Sequence, residues 1–163
     1  MKRWLIFITS VGFLISGCGV RLHRSASVPK ADRLAAQQRQ LVKLTDPVEK
    51  SRTYINIANL ELDLAVDAAQ AGEQERMTGL LRDYDSAIQG SRDSLVQSPR
   101  KLKPDPFRDL EIALRTHVRL LRSLCDSLTL EQRDPITTVL QDATAMREQI
   151  LRLLFPKVVT ASR

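Results

Sequence analysis

Apolar residues recur at helical spacing along much of the chain. In three segments they are separated by three, four or seven residues, which lines up one face of an α-helix. The three stripes are Met77, Leu81, Tyr84, Ile88, Ser91 and Leu95; Phe107, Leu110, Leu114, His117, Leu121, Leu124 and Leu128; and Ile136, Leu140, Ala143, Ile150 and Leu154. Charged residues fall between these positions. The pattern predicts three amphipathic helices, each with one face in a core.

Two further helices are predicted before these three. Residues 47–71 carry two apolar faces, so this helix is expected to lie between neighbours on two sides. Residues 31–44 carry Leu34, Leu41 and Leu44 but are mostly Gln, Arg and Ala. The segment therefore predicts a weaker N-terminal helix.

Helix boundaries are indicated by capping residues. An aspartate that can accept hydrogen bonds from the first turn precedes a proline in three places. These are Asp46-Pro47, Asp105-Pro106 and Asp134-Pro135. Gly72 is a C-terminal stop signal, and Glu73 and Glu75 suit the first turn of the next helix. Helices are thus predicted to start near residues 46, 74, 105 and 134.

The sequence therefore predicts an all-α domain over residues 31–156, with residues 157–163 as a frayed tail. Helices this long favour an antiparallel up-down bundle of four long helices plus the weaker N-terminal helix. An alternative is a pair of stacked helical hairpins, because "LLRDYDSAI" resembles the second helix of a tetratricopeptide repeat. The Trp-Leu-Gly-Tyr pattern of that repeat's first helix is absent, which favours the bundle.

The N-terminus has the organisation of an export signal. Lys2 and Arg3 are followed by twelve uncharged residues, 4–15. That length is typical of a signal peptide and shorter than the roughly 20 residues of a membrane-spanning helix. The next residues, Ile15-Ser16-Gly17-Cys18, match at every position the lipobox of bacterial lipoproteins, and the segment resembles a lipoprotein signal.

The resemblance implies that residues 1–17 are removed by cleavage between Gly17 and Cys18, and that Cys18 carries a diacylglycerol and an acyl chain such as palmitate. Two or three acyl chains anchor a protein stably where one binds only marginally. Residues 18–30 would then be the lipidated cysteine and a tether. Gly19 is not the aspartate that favours inner-membrane retention, so the resemblance implies an outer-membrane anchor facing the periplasm. The alternative is an uncleaved anchor helix over residues 4–20.

Composition changes this picture little. The 163 residues include 25 basic and 19 acidic side chains, and removal of Lys2 and Arg3 leaves a net charge of +4. Acidic and basic residues alternate, as on a solvated helix surface. We therefore expect no nucleic acid partner; the expected partners are the membrane, through the lipid, and an unknown envelope protein.

The candidate chemistry of the mature chain is sparse. Its two histidines, His23 and His117, lie outside any metal-binding motif, and no cofactor is predicted. His117 falls on an apolar stripe, where a buried, hydrogen-bonded histidine is favoured over a ligand. Cys125, beside leucines, is expected to be buried. Asp63, Asp67, Asp83 and Asp85 are expected on the surface.

These features favour a non-catalytic lipoprotein that presents a helical interaction or structural module, rather than an enzyme. One alternative is a bundle that binds a small apolar ligand or a metal near His117. A pocket lined by the apolar stripe of the fourth helix would favour that alternative. A second alternative is a tetratricopeptide-like protein-binding module.

Overall fold

The computed structural model describes residues 29–98 and 103–156, and the side chain of Glu131 is not described. Within these ranges the chain forms five helices and no strand, which confirms the all-α bundle with a shorter N-terminal helix. The helices are α1 (Lys30–Leu41), α2 (Pro47–Gln70), α3 (Gln74–Val96), α4 (Asp105–Ser127) and α5 (Leu130–Leu154). The predicted signal peptide, Cys18, most of the tether and the tail 157–163 lie outside the described residues.

Capping explains where α2 begins and ends. The side chain of Asp46 accepts hydrogen bonds from the backbone N–H groups of Val48 and Glu49, at 2.9 and 3.1 Å. Gly72 follows the last turn with φ of +74°, a conformation that suits glycine. Both boundaries confirm the sequence prediction.

The predicted start of α5 is wrong. Asp134-Pro135 does not begin the helix; α5 starts at Leu130, and Pro135 lies inside it. Thr129 is the N-cap, and its backbone N–H donates to the Gln132 side chain. Pro135 removes one hydrogen bond near the helix start, a loss that the earlier cap and the burial of Ile136 outweigh.

The four long helices form two antiparallel hairpins, α2–α3 and α4–α5, that lie side by side. Arg52 approaches Asp109 near the starts of α2 and α4, and Val66 lies near Leu124 close to their ends, so these two helices run in the same direction. Likewise α3 runs beside α5. We call the end with residues 70–74 and 127–130 the turn end, and the opposite end the far end.

The hairpins are longer than tetratricopeptide units. The start of α4 at residue 105 comes 58 residues after the start of α2 at residue 47, whereas a tetratricopeptide repeat has about 34 residues. Stacked tetratricopeptide repeats also contain side-by-side helical hairpins, but the helices of this protein have the length of bundle helices.

The core lies between the four long helices and uses the predicted stripes. All six positions of the α3 stripe are buried, and so are the central five of the α4 stripe, from Leu110 to Leu124. In α5, Ile136, Ala143 and Ile150 are buried. The heptad-like spacing therefore identified the faces that pack together.

The interface between α2 and α3 is close because small residues line it. Ala58, Ala65 and Ala68 on α2 and Ala87 on α3 are buried. The hydroxyls of Ser51 and Ser91 are 2.8 Å apart. Gly90 faces the ring of Tyr54, and a Cβ atom at Gly90 would lie 2.7 Å from that ring. Glycine and serine, which are unfavourable inside an isolated helix, are needed here for this approach.

The short helix α1 lies outside the four-helix core and packs on α2. None of its residues is buried, and Leu34 and Leu41 supply its partly buried contacts. Lys30, its first residue, pairs with Asp67 at 2.7 Å. Because Asp67 is in the last turn of α2, α1 begins near the turn end and runs towards the far end.

Candidate functional site

The most elaborate polar arrangement in the core is a row of three side chains from three helices. His117 of α4 is 2% exposed. Its Nδ1 is 3.2 Å from the hydroxyl of Tyr84 on α3, and its Nε2 is 2.7 Å from Oδ1 of Asn59 on α2. The amide oxygen can only accept, so Nε2 carries the proton and Nδ1 accepts from the tyrosine hydroxyl.

Burial keeps this row uncharged. Desolvation lowers the pKa of His117 to about 4, and desolvation together with the charge of Asp85 raises the pKa of Tyr84. The two rings meet edge to face, with centroids 5.3 Å apart. A neutral imidazole with both nitrogens in hydrogen bonds joins α2, α3 and α4, so the geometry favours a structural role for His117 over metal ligation.

Glu61 is a buried acid on α2. The residue is 3% exposed, and its Oε2 atom has no hydrogen-bond partner. Desolvation, with a further contribution from the Asp83 carboxylate, raises the pKa of Glu61 to about 7. The side chain is therefore protonated in part at neutral pH, which lessens the cost of burying it.

Glu111 is the second buried acid and is fully paired. Its two oxygens bind Arg147 of α5 at 2.9 Å and Arg115 of its own helix at 3.1 Å. Both arginines are partly exposed, so the pair lies at the edge of the α4–α5 interface rather than in a cleft. Its geometry suits a structural clamp between the two helices of one hairpin.

The other candidate residues do not come together. Cys125 is half-buried rather than buried, and its Sγ is 3.9 Å from the hydroxyl of Thr137. Asp63, Asp67 and Asp83 are exposed and Asp85 is half-buried. Among residues 29–98 and 103–156, no group of three or more His, Cys, Asp or Glu side chains is placed to hold a metal ion.

An apolar groove of about 450 Å³ lies between the last turns of α2 and α4. Val66 and Ala69 line one wall, and Leu120, Leu124 and Leu128 line the other. The groove includes part of the predicted α4 stripe, but it lies near the turn end rather than at His117. It is large enough for a small apolar group.

Comparison with known proteins gives this chain no relatives. No protein-family model, curated protein or solved structure matches it. Among the described helices, none has the length and hydropathy needed to span a bilayer.

Glu61 and Glu111 are buried residues that were not predicted from the sequence. Glu61 follows Tyr54 and Ala58 by seven and three residues, which puts it on the α2 face that packs against α3. Glu111 follows Phe107 by four residues in α4. A carboxylate at a helical spacing from apolar residues is the signal that points to both glutamates.

Proposed function

We propose that this protein is a non-catalytic lipoprotein of the bacterial cell envelope. In this proposal Cys18 is the first residue of the mature chain and carries the lipid, and the outer membrane is the membrane to which it is anchored. The helical domain is held on the periplasmic side, where it contacts another envelope protein.

The observation that carries this proposal is the direction in which the chain crosses the domain. The start of α1 is near the turn end, so the residues before it join the domain there. Four of the six large apolar side chains that are exposed among the described residues lie at the far end, namely Val42, Val96, Leu153 and Phe155; the other two are Ile112 and Leu130. An anchor at one end and an apolar surface at the other suit a module that is displayed from a membrane to a protein partner.

The buried polar groups support the non-catalytic part of the proposal. A catalytic base needs a free lone pair within reach of a substrate. In His117 one nitrogen accepts from Tyr84 and the other donates to Asn59, inside the core. This histidine is thus used to hold helices together.

The anchor is tested with the variant Cys18→Ser. We expect the wild-type protein to be recovered in the membrane fraction with an acylated Cys18 as its first residue, because two or three acyl chains suffice for stable binding. The variant should keep residues 1–17 and lose the acyl mass. Intact-mass measurement and N-terminal peptide mapping distinguish the two forms.

Cys125→Ser is the matched control, since it removes the other cysteine and leaves the lipobox intact. It should be acylated as the wild type is. A wild-type chain that begins at Met1 without acyl mass would show that the lipobox interpretation is wrong.

The partner contact is tested at the far end. Val96 and Leu153 lie on adjacent last turns of α3 and α5 and are both more than half exposed. We expect Leu153→Asp to reduce recovery of a co-purifying envelope protein from gently solubilised membranes at least tenfold, because a charge at the centre of an apolar contact loses its hydration.

Ile112→Asp is the control for this test, because Ile112 has an exposure similar to that of Leu153 and lies on α4 rather than on α3 or α5. Equal recovery with both variants and the wild type would contradict a contact at the far end. If no co-purifying protein is recovered above background with the wild type or with either variant, the existence of a stable partner is contradicted.

A further inference from the structure

The turn end has features of its own that the proposed partner contact does not use. Leu130, the first residue of α5, is 79% exposed. The cap of that helix is supplied by Thr129 and Gln132, so capping does not require leucine at position 130. A large apolar side chain is therefore presented to the surroundings at this end.

The apolar groove lies at the same end. Its lining residue Leu128 precedes Leu130 by two positions, and Leu124 continues the wall along α4. On α2, Val66 and Ala69 belong to the last two turns before Gly72. The exposed leucine and the apolar groove thus lie at the same end of the domain.

The position of the start of α1 indicates which end of the domain lies closer to an anchor at Cys18. Lys30 is held beside Asp67 at 2.7 Å, so α1 starts within about two turns of the α2–α3 turn. Ten residues separate Cys18 from Pro29. A chain of ten residues reaches at most about 36 Å when fully extended, so an anchor at Cys18 limits how far the turn end can lie from the lipid headgroups.

We infer that the turn end lies on the membrane and that Leu130 and the groove between α2 and α4 contact lipid acyl chains. The inference rests on the proposed function, because it takes the membrane to be at the N-terminal side of α1. Transfer of a leucine side chain into lipid contributes about 2 kcal/mol. That is too little for binding from solution, but enough to orient a domain that is already tethered.

The test uses the full-length chain in bacterial membranes with a photo-crosslinking phenylalanine analogue, benzoylphenylalanine, at position 130. We expect lipid adducts on the peptide that contains residue 130. The matched control has the analogue at position 42, because Val42 is 85% exposed and follows α1 towards the far end. Lipid adducts at position 42 should be at least fivefold fewer than at position 130, although Val42 is more exposed than Leu130.

A second measurement places the analogue at Ser127, which lines the groove. Lipid adducts at Ser127 should fall severalfold in the Leu130→Glu background, while the chain stays in the membrane fraction through Cys18. A membrane-bound chain with equal adducts at positions 130 and 42, or with none at 130, would overturn the inference alone. A chain that is neither acylated nor membrane-bound would overturn the proposed function and this inference together.

Discussion

The Glu61→Gln variant should become more stable relative to the wild type as the pH rises. The difference between their free energies of unfolding should change by about 3 kcal/mol between pH 4.5 and a pH above 7. Burial raises the pKa of Glu61 from 4.5 to about 7 in the folded protein. Each pKa unit corresponds to about 1.4 kcal/mol. The wild type must pay to ionise a buried carboxyl with an unpartnered oxygen, whereas the neutral amide does not titrate.

The sign follows from proton binding. Between pH 4.5 and 7 the unfolded chain has lost the Glu61 proton while the folded chain retains it, so the free energy of unfolding falls as the pH rises. Urea unfolding of both proteins at several pH values measures the effect. Glu148→Gln is the control, since Glu148 is exposed, and its difference from the wild type should change little with pH.

His117 has the opposite effect in an overlapping pH range. Its pKa is lowered to about 4, so the unfolded chain binds this proton between pH 4 and 6.5 and the folded chain does not. The His117 contribution to stability is present above pH 6.5 and is lost as the pH falls through 4. The contributions of Glu61 and His117 therefore largely cancel in the wild type. His117→Gln should unmask the Glu61 slope, and parallel pH curves for the wild type and both variants would contradict the two shifts.

The second large effect is expected at Gly90. Gly90→Leu should destabilise the protein by about 3 kcal/mol, the upper part of the usual range for overpacking. A Cβ at this position would already lie 2.7 Å from the Tyr54 ring, and the rest of the leucine side chain must displace that ring or separate α2 from α3. Thermal and urea unfolding measure the loss.

Gly79→Leu is the matched control because Gly79 is in the same helix and a Cβ there would have no neighbour within 4 Å. It should be stabilising by somewhat under 1 kcal/mol, since glycine is unfavourable inside a helix. Tyr54→Ala should restore part of the stability lost in Gly90→Leu, because it removes the ring that the leucine meets. Equal effects at Gly79 and Gly90 would contradict a close α2–α3 approach.

Much of the fold could be predicted because burial follows helical spacing. In α3 every stripe residue from Met77 to Leu95 is buried, and the two-faced helix α2 does pack against α1, α3 and α4. Asp46 and Gly72 act as predicted because each satisfies a requirement of its own helix end. Local rules were sufficient at these positions.

Prediction from the sequence failed where two possible helix starts competed, and where a contact with another helix determines the role of a residue. The predicted start of α5 at Asp134-Pro135 competes with an earlier cap formed by Thr129 and Gln132, which was not predicted and which begins the helix. Glycine is unfavourable inside a helix, and the contact that explains Gly90 is with Tyr54, 36 residues earlier, which spacing within one helix cannot show. Glu61 has a helical spacing from apolar residues of α2, but that spacing does not show how completely the helices packed around α2 bury its carboxyl group.

The site was predicted in part. The stripe of α4 placed His117 in the core, but its partners Asn59 and Tyr84 lie 58 and 33 residues away in the sequence. The groove between α2 and α4 depends on the parallel arrangement of two helices, which the order of helices in the sequence does not determine. The role of Cys18 rests on its motif and stays a prediction.

The placement of α1 has a mechanical consequence for a chain anchored through Cys18. A pull on the tether acts along the axis of α1, parallel to its contact with α2, so it loads that contact in shear and strains the Lys30–Asp67 pair early. With no buried residue of its own, α1 should yield before the four-helix core. Its 12 residues would then extend to about 40 Å, a reserve of length that absorbs force while the domain remains folded.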